Sequence, residues 1–408
     1  MTPDMTNADV LLNLLAAAIN SKTPCGMGGD IDWRAVYRLA IEHRVEGLAL
    51  SPALALPTPP PADLMAAWQE RAMVVMLTQI QITDALHSLL AKLEEESIRA
   101  VVLKGVVLKA LYPEPDMRVM SDADLLVAPE SFEPGCEALR RNGFIEMADE
   151  CHDDTFVCAH PDGLRVELHR RLFDRKRQGF LRALNESELF PASKAVRTEA
   201  CGGSVWSLPP TEHALFQILH MAKHMITTGF GIRQVCDFAL FAERYRDVID
   251  WEWFRRQCER LSLSSFARAV FWICEERLGM PRASGVVGGD AMAGEALLED
   301  VLAAGVFGKS SDERTRSAAV VYRAFDRTDV RSENRVKRLL AAVFIRADEM
   351  HAPYLYAKRR PWLLPAAWAH RLFRYIFLRD TNVMRETSEG MRIASERIEL
   401  LTRLDMLR

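Results

Sequence analysis

Asp122 and Asp124 stand one alanine apart in the stretch SDADLLV. Alternate side chains of an extended strand share a face, so both carboxylates point the same way while Ala123 and Leu125 point the other. Two carboxylates that close repel unless a cation lies between them, and hard oxygen donors favour Mg²⁺ or Mn²⁺. Further on, LRVELHRRL alternates as well: Leu164, Val166 and Leu168 face a core, and Arg165, Glu167 and His169 share the opposite face. If that strand lies beside DADLLV, Glu167 completes a group of three carboxylates. Such a group could hold two metals about 4 Å apart and promote in-line displacement at phosphorus. His169 could orient the Glu167 carboxylate by a hydrogen bond.

Upstream, VVLKG reads as a strand running into Gly105, with a short helix behind it stopped by Pro113. A strand, a glycine and a helix start make a phosphate site, because unpartnered backbone N–H groups face the anion and glycine allows close approach. Lys104 could add positive charge there, and Arg118, four residues before Asp122, could reach a phosphate or clamp the loop. A bare DxD can also be a turn cap followed by a solvated strand end; its neighbours here favour the chemical reading. Calcium is disfavoured, since DADLLVAPESFE lacks the glycine and further oxygen ligands of an EF-hand loop. Sugar-nucleotide transferases also hold a metal diphosphate with a DxD, but that chemistry leaves the LKG helix start unexplained. His213, His220 and His224 fall at i, i+7 and i+11 of a predicted helix and share roughly one face. HMAKH lacks the glutamate of a zincin helix, so packing and then acceptor-pocket lining rank ahead of zinc.

The elements that must position these groups follow from periodicity. Residues 1–93 read as helices, with Asp32 as an N-cap, a first helix starting near Asn7 or Asp9, and a proline-rich break at SPALALPTPPPADL before a helix from about Pro61 to Glu95. Residues 94–208 hold the short β-forming runs RAVVLKG, DADLLVA, TFVCAH, LRVELHRRL and SVWSL, the mark of a mixed α/β core. Residues 209–408 return to helix, with breaks at GMPRASGVVGG near 280–290 and at HAPYLYAKRRP. The overall class is α+β: a small mixed sheet between a helical N-terminal region and a large helical C-terminal region. Ile-Asp-Trp opens helices at both 31–33 and 249–251, which reads as a shared helix start rather than a duplication.

Taken in order, LKG, Tyr112, Pro113, Arg118, SDADLLV and VELH resemble a poorly characterised bacterial nucleotidyltransferase family of the DNA polymerase β-like superfamily. IDW…HRV, LPPTEHALFQILHMAKH and IRQVCDFALF extend the likeness over most of the chain. The resemblance implies a Mg²⁺-dependent (or Mn²⁺-dependent) enzyme that transfers a nucleoside monophosphate from an NTP and releases pyrophosphate. It implies Asp122, Asp124 and Glu167 as metal-binding and catalytic carboxylates. Lys104, Gly105, Arg118 and Ser121 become the nucleotide-binding set, with His169, His220 and His224 as supporting or acceptor-side groups. Val106 departs from the superfamily, whose enzymes often carry Gly or Ser after the first glycine. A non-catalytic binding protein that kept the sheet is the alternative from another class.

Composition bounds the rest. With 408 residues and 49% hydrophobic residues the chain can bury more than one core, and 52 basic against 56 acidic residues (net −4) leave no footprint for bulk nucleic-acid binding. Eight cysteines without a CxxC pair suggest neither a zinc ribbon nor a disulfide framework, so a reducing cytoplasm is the expected setting. No apolar run reaches the ~20 residues of a membrane span. Aromatic and basic residues at 354–379 could lie on an anionic membrane, though a packed helix burying Trp368, Leu372 and Tyr375 is preferred. The acceptor and the preferred base are not encoded in any motif.

Overall fold

The computed structural model describes residues 6–24, 30–173, 189–226, 229–282, 288–305, 356–357, 360–377 and 381–406, with the backbone alone at 361, 371–377 and 381–391. The chain divides into two compact units, Met1–Ser310 with Glu399–Arg408, and Ser311–Ile398. The first contains every strand among the described residues, and its class is α+β.

Helices α1 (Asn7–Ile19), α2 (Trp33–Glu42), α3 (Glu46–Leu54) and α4 (Ala62–Glu95) come first. Thr6 and Asp9 close a reciprocal capping box that starts α1. Asp32 caps α2 through the Ala35 N–H, and Asp250 caps α9 (Trp251–Arg260) through Trp253 with nearly the same backbone angles, so the two Ile-Asp-Trp segments share one helix start. The break expected at SPALAL begins later: α3 continues through Pro52 to Leu54. Pro52 lies in the last turn and is buried, so its missing N–H costs one bond near the helix end while its ring packs.

The sheet has the order β3-β4-β5-β2-β1-β7-β6. Its strands are β1 (Val101–Val102), β2 (Ala123–Leu126), β3 (Ile145–Glu146), β4 (Thr155–Ala159), β5 (Arg165–His169), β6 (Val196–Ala200) and β7 (Gly203–Ser207). Two pairings are parallel, β2 with β5 and β1 with β7; the others are antiparallel. Strands β3 and β6 were not expected from the sequence. Their side chains lie mostly in solvent, so they lack the apolar alternation that marks a strand.

One face of the sheet, with Val102, Ala123, Leu125, Val166, Leu168 and Phe156, joins a core with Ile82, Leu86, Leu89 and Leu93 of α4, Val106 and Val107 of the short α5 (Val106–Lys109), and Phe132, Cys136 and Leu139 of α6 (Phe132–Arg141). The alternating partners Asp124, Glu167 and His169 are thereby turned to the other face. Helix α4 is the one helix among the described residues long and apolar enough, by length and composition, to cross a membrane. The sequence reading missed this because Thr78, Gln79, Gln81 and Thr83 interrupt the run; Gln79 and Thr83 are buried.

After β7 come α7 (Pro210–Ile226), α8 (Ile232–Arg244), α9, α10 (Ser264–Trp272), which ends in a wider turn over Ile273–Arg277, and α11 (Ala291–Ala304). In the second unit α12 (Leu364–Phe377) packs Leu364 and Trp368 with Tyr356 around Ala357 and Ala367, and Trp362 is exposed. Helix α13 (Thr381–Arg403) follows. Trp368 is half-buried, as the packing reading of 354–379 expects; Leu372 and Tyr375 fall outside the described side chains.

Candidate active site

The parallel register sets Asp124 directly against Glu167, with Leu126 against His169. Strand β1 runs antiparallel to β2, and the Leu103 N–H donates to the Asp124 carbonyl at 3.1 Å. Local pairing therefore delivers Lys104 to the Asp124 side chain, with Nζ 2.7 Å from Oδ2. His169 Nε2 donates to Asp124 Oδ1 at 3.3 Å, while Thr155 Oγ1, on the neighbouring strand, holds His169 Nδ1 at 3.0 Å. A hydroxyl can donate or accept, so Thr155 serves either imidazole tautomer.

Electrostatics separate the carboxylates. Burial pushes the Asp124 carboxyl up, but Lys104 and His169 beside it win and hold it well below the usual carboxylate range. Glu167 moves the other way: burial raises it, and the charges of Asp124 and Asp122 raise it further, against Arg165, which donates to Oε1 at 3.2 Å. One group is thus firmly ionised and its neighbour takes a proton more readily, the separation an acid–base site needs.

Asp124, Glu167 and His169 each offer a ligand atom, and these atoms lie within 4.8 Å of one another. Asp124 Oδ2 is buried, and its partner is the Lys104 ammonium. Two carboxylates and an imidazole converging from adjacent strands are a donor set that fits a divalent cation. Asp122 lies one residue outside β2, half-buried, and outside this closest group, although its charge acts on Glu167, Lys104 and Arg118. The expected three-carboxylate cluster thus appears as Asp124 and Glu167 with His169, and Asp122 at the rim.

Gly105 turns the chain at φ +59°, where a side chain is strained, and a Cβ there would stand 2.6 Å from Met120 Sδ and push that side chain aside. Val106, fully buried, belongs to the sheet core. Ser121 Oγ accepts from Arg44 Nη1 at 3.3 Å. Arg118 is buried: its Nε and Nη2 donate to the two oxygens of Asp237 at 3.0 and 2.6 Å, and Tyr112 adds a third hydrogen bond at 2.8 Å. A phosphate contact by Arg118 therefore has Nη1 to work with, and the fork itself fastens the loop to α8.

The histidines of α7 part company. His213 Nε2 donates to the Leu103 carbonyl at 2.6 Å, backing the strand that carries Lys104. His220 Nε2 lies 2.9 Å from Lys104 Nζ and 3.1 Å from His224 Nε2. His220 and His224 thus reach the site while His213 is a packing group. Burial lowers all three, His213 to about 4 and His224 to about 3.

Buried His213, and His43 against the Leu302 carbonyl, also lowered by burial to about 4, set a pH dependence of stability. Below pH 6.5 the unfolded chain binds protons that the folded imidazoles refuse, so stability is intact above that value and falls as pH drops toward 4. Each should cost roughly 2–3 kcal/mol between pH 7 and 4.5. Urea unfolding at the two pH values measures it, and His213→Gln should flatten the slope; an unchanged slope contradicts the assignment.

Sequence reasoning missed several groups around the loop. Gln79 clamps Met120 through both backbone groups, its Oε1 accepting from N at 2.7 Å and its Nε2 donating to O at 3.1 Å. Buried Lys109 ties α4 to the turn just ahead of that loop, through Thr83 at 2.7 Å and Asp116 at 2.8 Å. Arg233 donates to the Val119 carbonyl at 2.5 Å, and its Nε is buried without an acceptor. Burial and the nearby Arg118 lower Arg233 to about 10. The signal available was polar residues on apolar helix faces, Gln79 with Thr83 on α4 and Asp237 within IRQVCDFALF.

The model of an uncharacterised nucleotidyltransferase family matches residues 29–279, more than half of the chain. The chain belongs to that family. As a nucleotidyltransferase it is a transferase of phosphorus-containing groups with a nucleotide as substrate, and such enzymes generally use divalent metals. The match spans the sheet, the Asp124–Glu167–His169 group and α7 and α8, and it begins ahead of Asp32 and Arg44. Comparison with curated proteins and with solved structures finds no match.

Proposed function

We propose that the protein transfers a nucleoside monophosphate from an NTP to an acceptor, with Mg²⁺ or Mn²⁺, and releases pyrophosphate. The observation that carries this reading is the register of β2 on β5, which places Asp124 against Glu167 beside the Lys104–Gly105 turn. Asp124, Glu167 and the rim carboxylate Asp122 would hold the metal, with His169 as a further donor. When bound, the divalent ion supplies charge neutralisation at the transferred phosphate. The Gly105 turn, Lys104 and Ser121 face the triphosphate, and Arg44, Arg118 and Arg233 surround the 118–122 loop with positive charge. Glu167, with its raised carboxyl, accepts the acceptor's proton as the acceptor oxygen bonds to the α-phosphorus. The bond from that phosphorus to the bridging oxygen breaks, and pyrophosphate leaves. His220 and His224 on α7 supply the acceptor side.

The ion pair of Lys104 with Asp124 also suits the alternative, a binding protein whose carboxylate is neutralised by its own lysine. Thermal stability separates the two. A rise in melting temperature of a few degrees with Mn²⁺ and at least one NTP together, and labelling of an acceptor in a lysate fraction from the matching α-³²P-NTP, are expected. No shift with any metal–NTP combination would sink the enzyme reading.

A further inference from the structure

Lys104 lies on the oxygen that a metal would use. Its Nζ is 2.7 Å from Asp124 Oδ2 and 2.9 Å from His220 Nε2, and little of either charged side chain reaches solvent, 19% for Lys104 and 10% for Asp124. An ammonium and a divalent ion compete for that oxygen, because like charges side by side in a weakly screened site repel strongly. A cation that binds Asp124 must therefore move Lys104 away.

The surroundings limit where Lys104 can go. Its backbone is fixed on both sides: the Leu103 N–H is bonded to Asp124, the Leu103 carbonyl to His213, and Gly105 makes the turn that follows. Relocation is a side-chain swing. His220 offers a lone pair but no negative charge, because burial and Lys104 itself keep the imidazole neutral. The other carboxylates whose charge reaches Lys104 are Asp122 and Glu167, and both belong to the acidic group that the metal would engage. A partly buried ammonium deprived of its counter-ion is costly. The nearest place for a new anion is the Gly105 turn, the adjacent residue, where a polyphosphate would lie.

Resting on the nucleotidyltransferase reading, we propose that Lys104 is an exchangeable counter-cation: a divalent metal displaces it from Asp124, and it then pairs with the phosphates of the incoming nucleotide. Metal and nucleotide thus load together. Lys104 makes the metal alone bind weakly and makes the nucleotide strengthen it, and by linkage each ligand improves the other's affinity equally. The device keeps Asp124 ionised and paired whether the site is loaded or not.

The experiment measures Mn²⁺ binding by electron paramagnetic resonance, and ATP binding at saturating Mn²⁺ by calorimetry, on the full chain. Lys104→Met should tighten Mn²⁺ binding without nucleotide by about 10-fold or more and weaken ATP binding by a similar factor, since one substitution removes both a competitor and a phosphate partner. Mn²⁺ should also restore the melting temperature that Lys104→Met loses. Lys104→Arg keeps the charge and should bind Mn²⁺ as weakly as the unaltered protein. Adding Asp124→Asn to Lys104→Met should abolish the gain. Lys104→Gln, which retains a donor for Asp124, carries the same measurements if the methionine variant does not fold.

Unchanged or weaker Mn²⁺ binding in a folded Lys104 variant overturns the exchange, while the nucleotidyltransferase reading stands if Mn²⁺–ATP still binds. Tighter Mn²⁺ binding with unaltered ATP affinity overturns the swing to the phosphates. Absence of Mn²⁺ and Mn²⁺–ATP binding in every form overturns the reading on which the proposal rests.

Discussion

Asp124→Asn should lower nucleotidyl transfer by at least ~10²–10³-fold, the scale of losing one preorganised electrostatic contact in an active site. The substitution is nearly isosteric, so β2 and its register on β5 remain. What goes is the charge on which Lys104 and His169 converge, and with it one of the carboxylate oxygens that a metal would use. Relieved of its ionised neighbour, Glu167 also loses part of the repulsion that raises it, and the proton acceptor weakens as the metal site does. Single-turnover transfer from α-³²P-NTP, with Mn²⁺ binding measured in parallel, tests this. Retention of more than a tenth of the activity in a folded Asp124→Asn protein would remove Asp124 from the chemistry. Thr155→Val is the milder companion: it leaves the charges and frees only the His169 ring, so a drop nearer 10-fold is expected.

Asp237→Ala should destabilise the protein by about 3–5 kcal/mol, the cost of stripping a buried ion pair of one partner. Asp237 carries an unusual load for one carboxylate. Both of its oxygens are taken by the Arg118 fork, Tyr112 donates to one of them, and Arg233 stands close enough for Arg118 to lower it. Removing the carboxylate leaves two guanidinium groups next to each other with little solvent. The double variant Arg118→Met with Asp237→Leu removes both charges and should recover most of the loss, because apolar residues can fill such a site at little cost. Urea unfolding of the single and double variants measures both terms. A loss under ~1 kcal/mol for Asp237→Ala would show that the pair is solvated. The same pair holds the loop that carries Ser121 and Asp122, so nucleotide affinity should fall with stability in the single variant.

Much of the site was legible because strand periodicity assigns faces without reference to the rest of the chain. Glu167 and His169 on one side of VELH, and Leu125 opposite Asp124 in DADLLV, follow from alternation alone, and the sheet keeps both assignments. The turn at Gly105 was readable for a similar local reason. Arg118 was harder, since nothing within a few residues of it announces a buried carboxylate more than a hundred positions away on α8. Gln79 left only a weak signal, a polar residue on an apolar helix face, because a glutamine inside a long helix reads as solvated unless the loop it clamps is known. Strands β3 and β6 escaped because edge strands with exposed side chains carry no apolar alternation.

By itself, the sequence determined the class of fold, the helix starts at Asp32 and Asp250, and the side of each strand on which the carboxylates lie. These depend on interactions between residues a few positions apart. Only the tertiary structure decided which carboxylates meet. It drew Asp124, Glu167 and His169 within 4.8 Å, left Asp122 at the rim, set Lys104 on Asp124, and committed Arg118 to Asp237. Those choices turn on strand register and on the desolvation of charges brought together from distant segments, and neither is a property of any local stretch of chain.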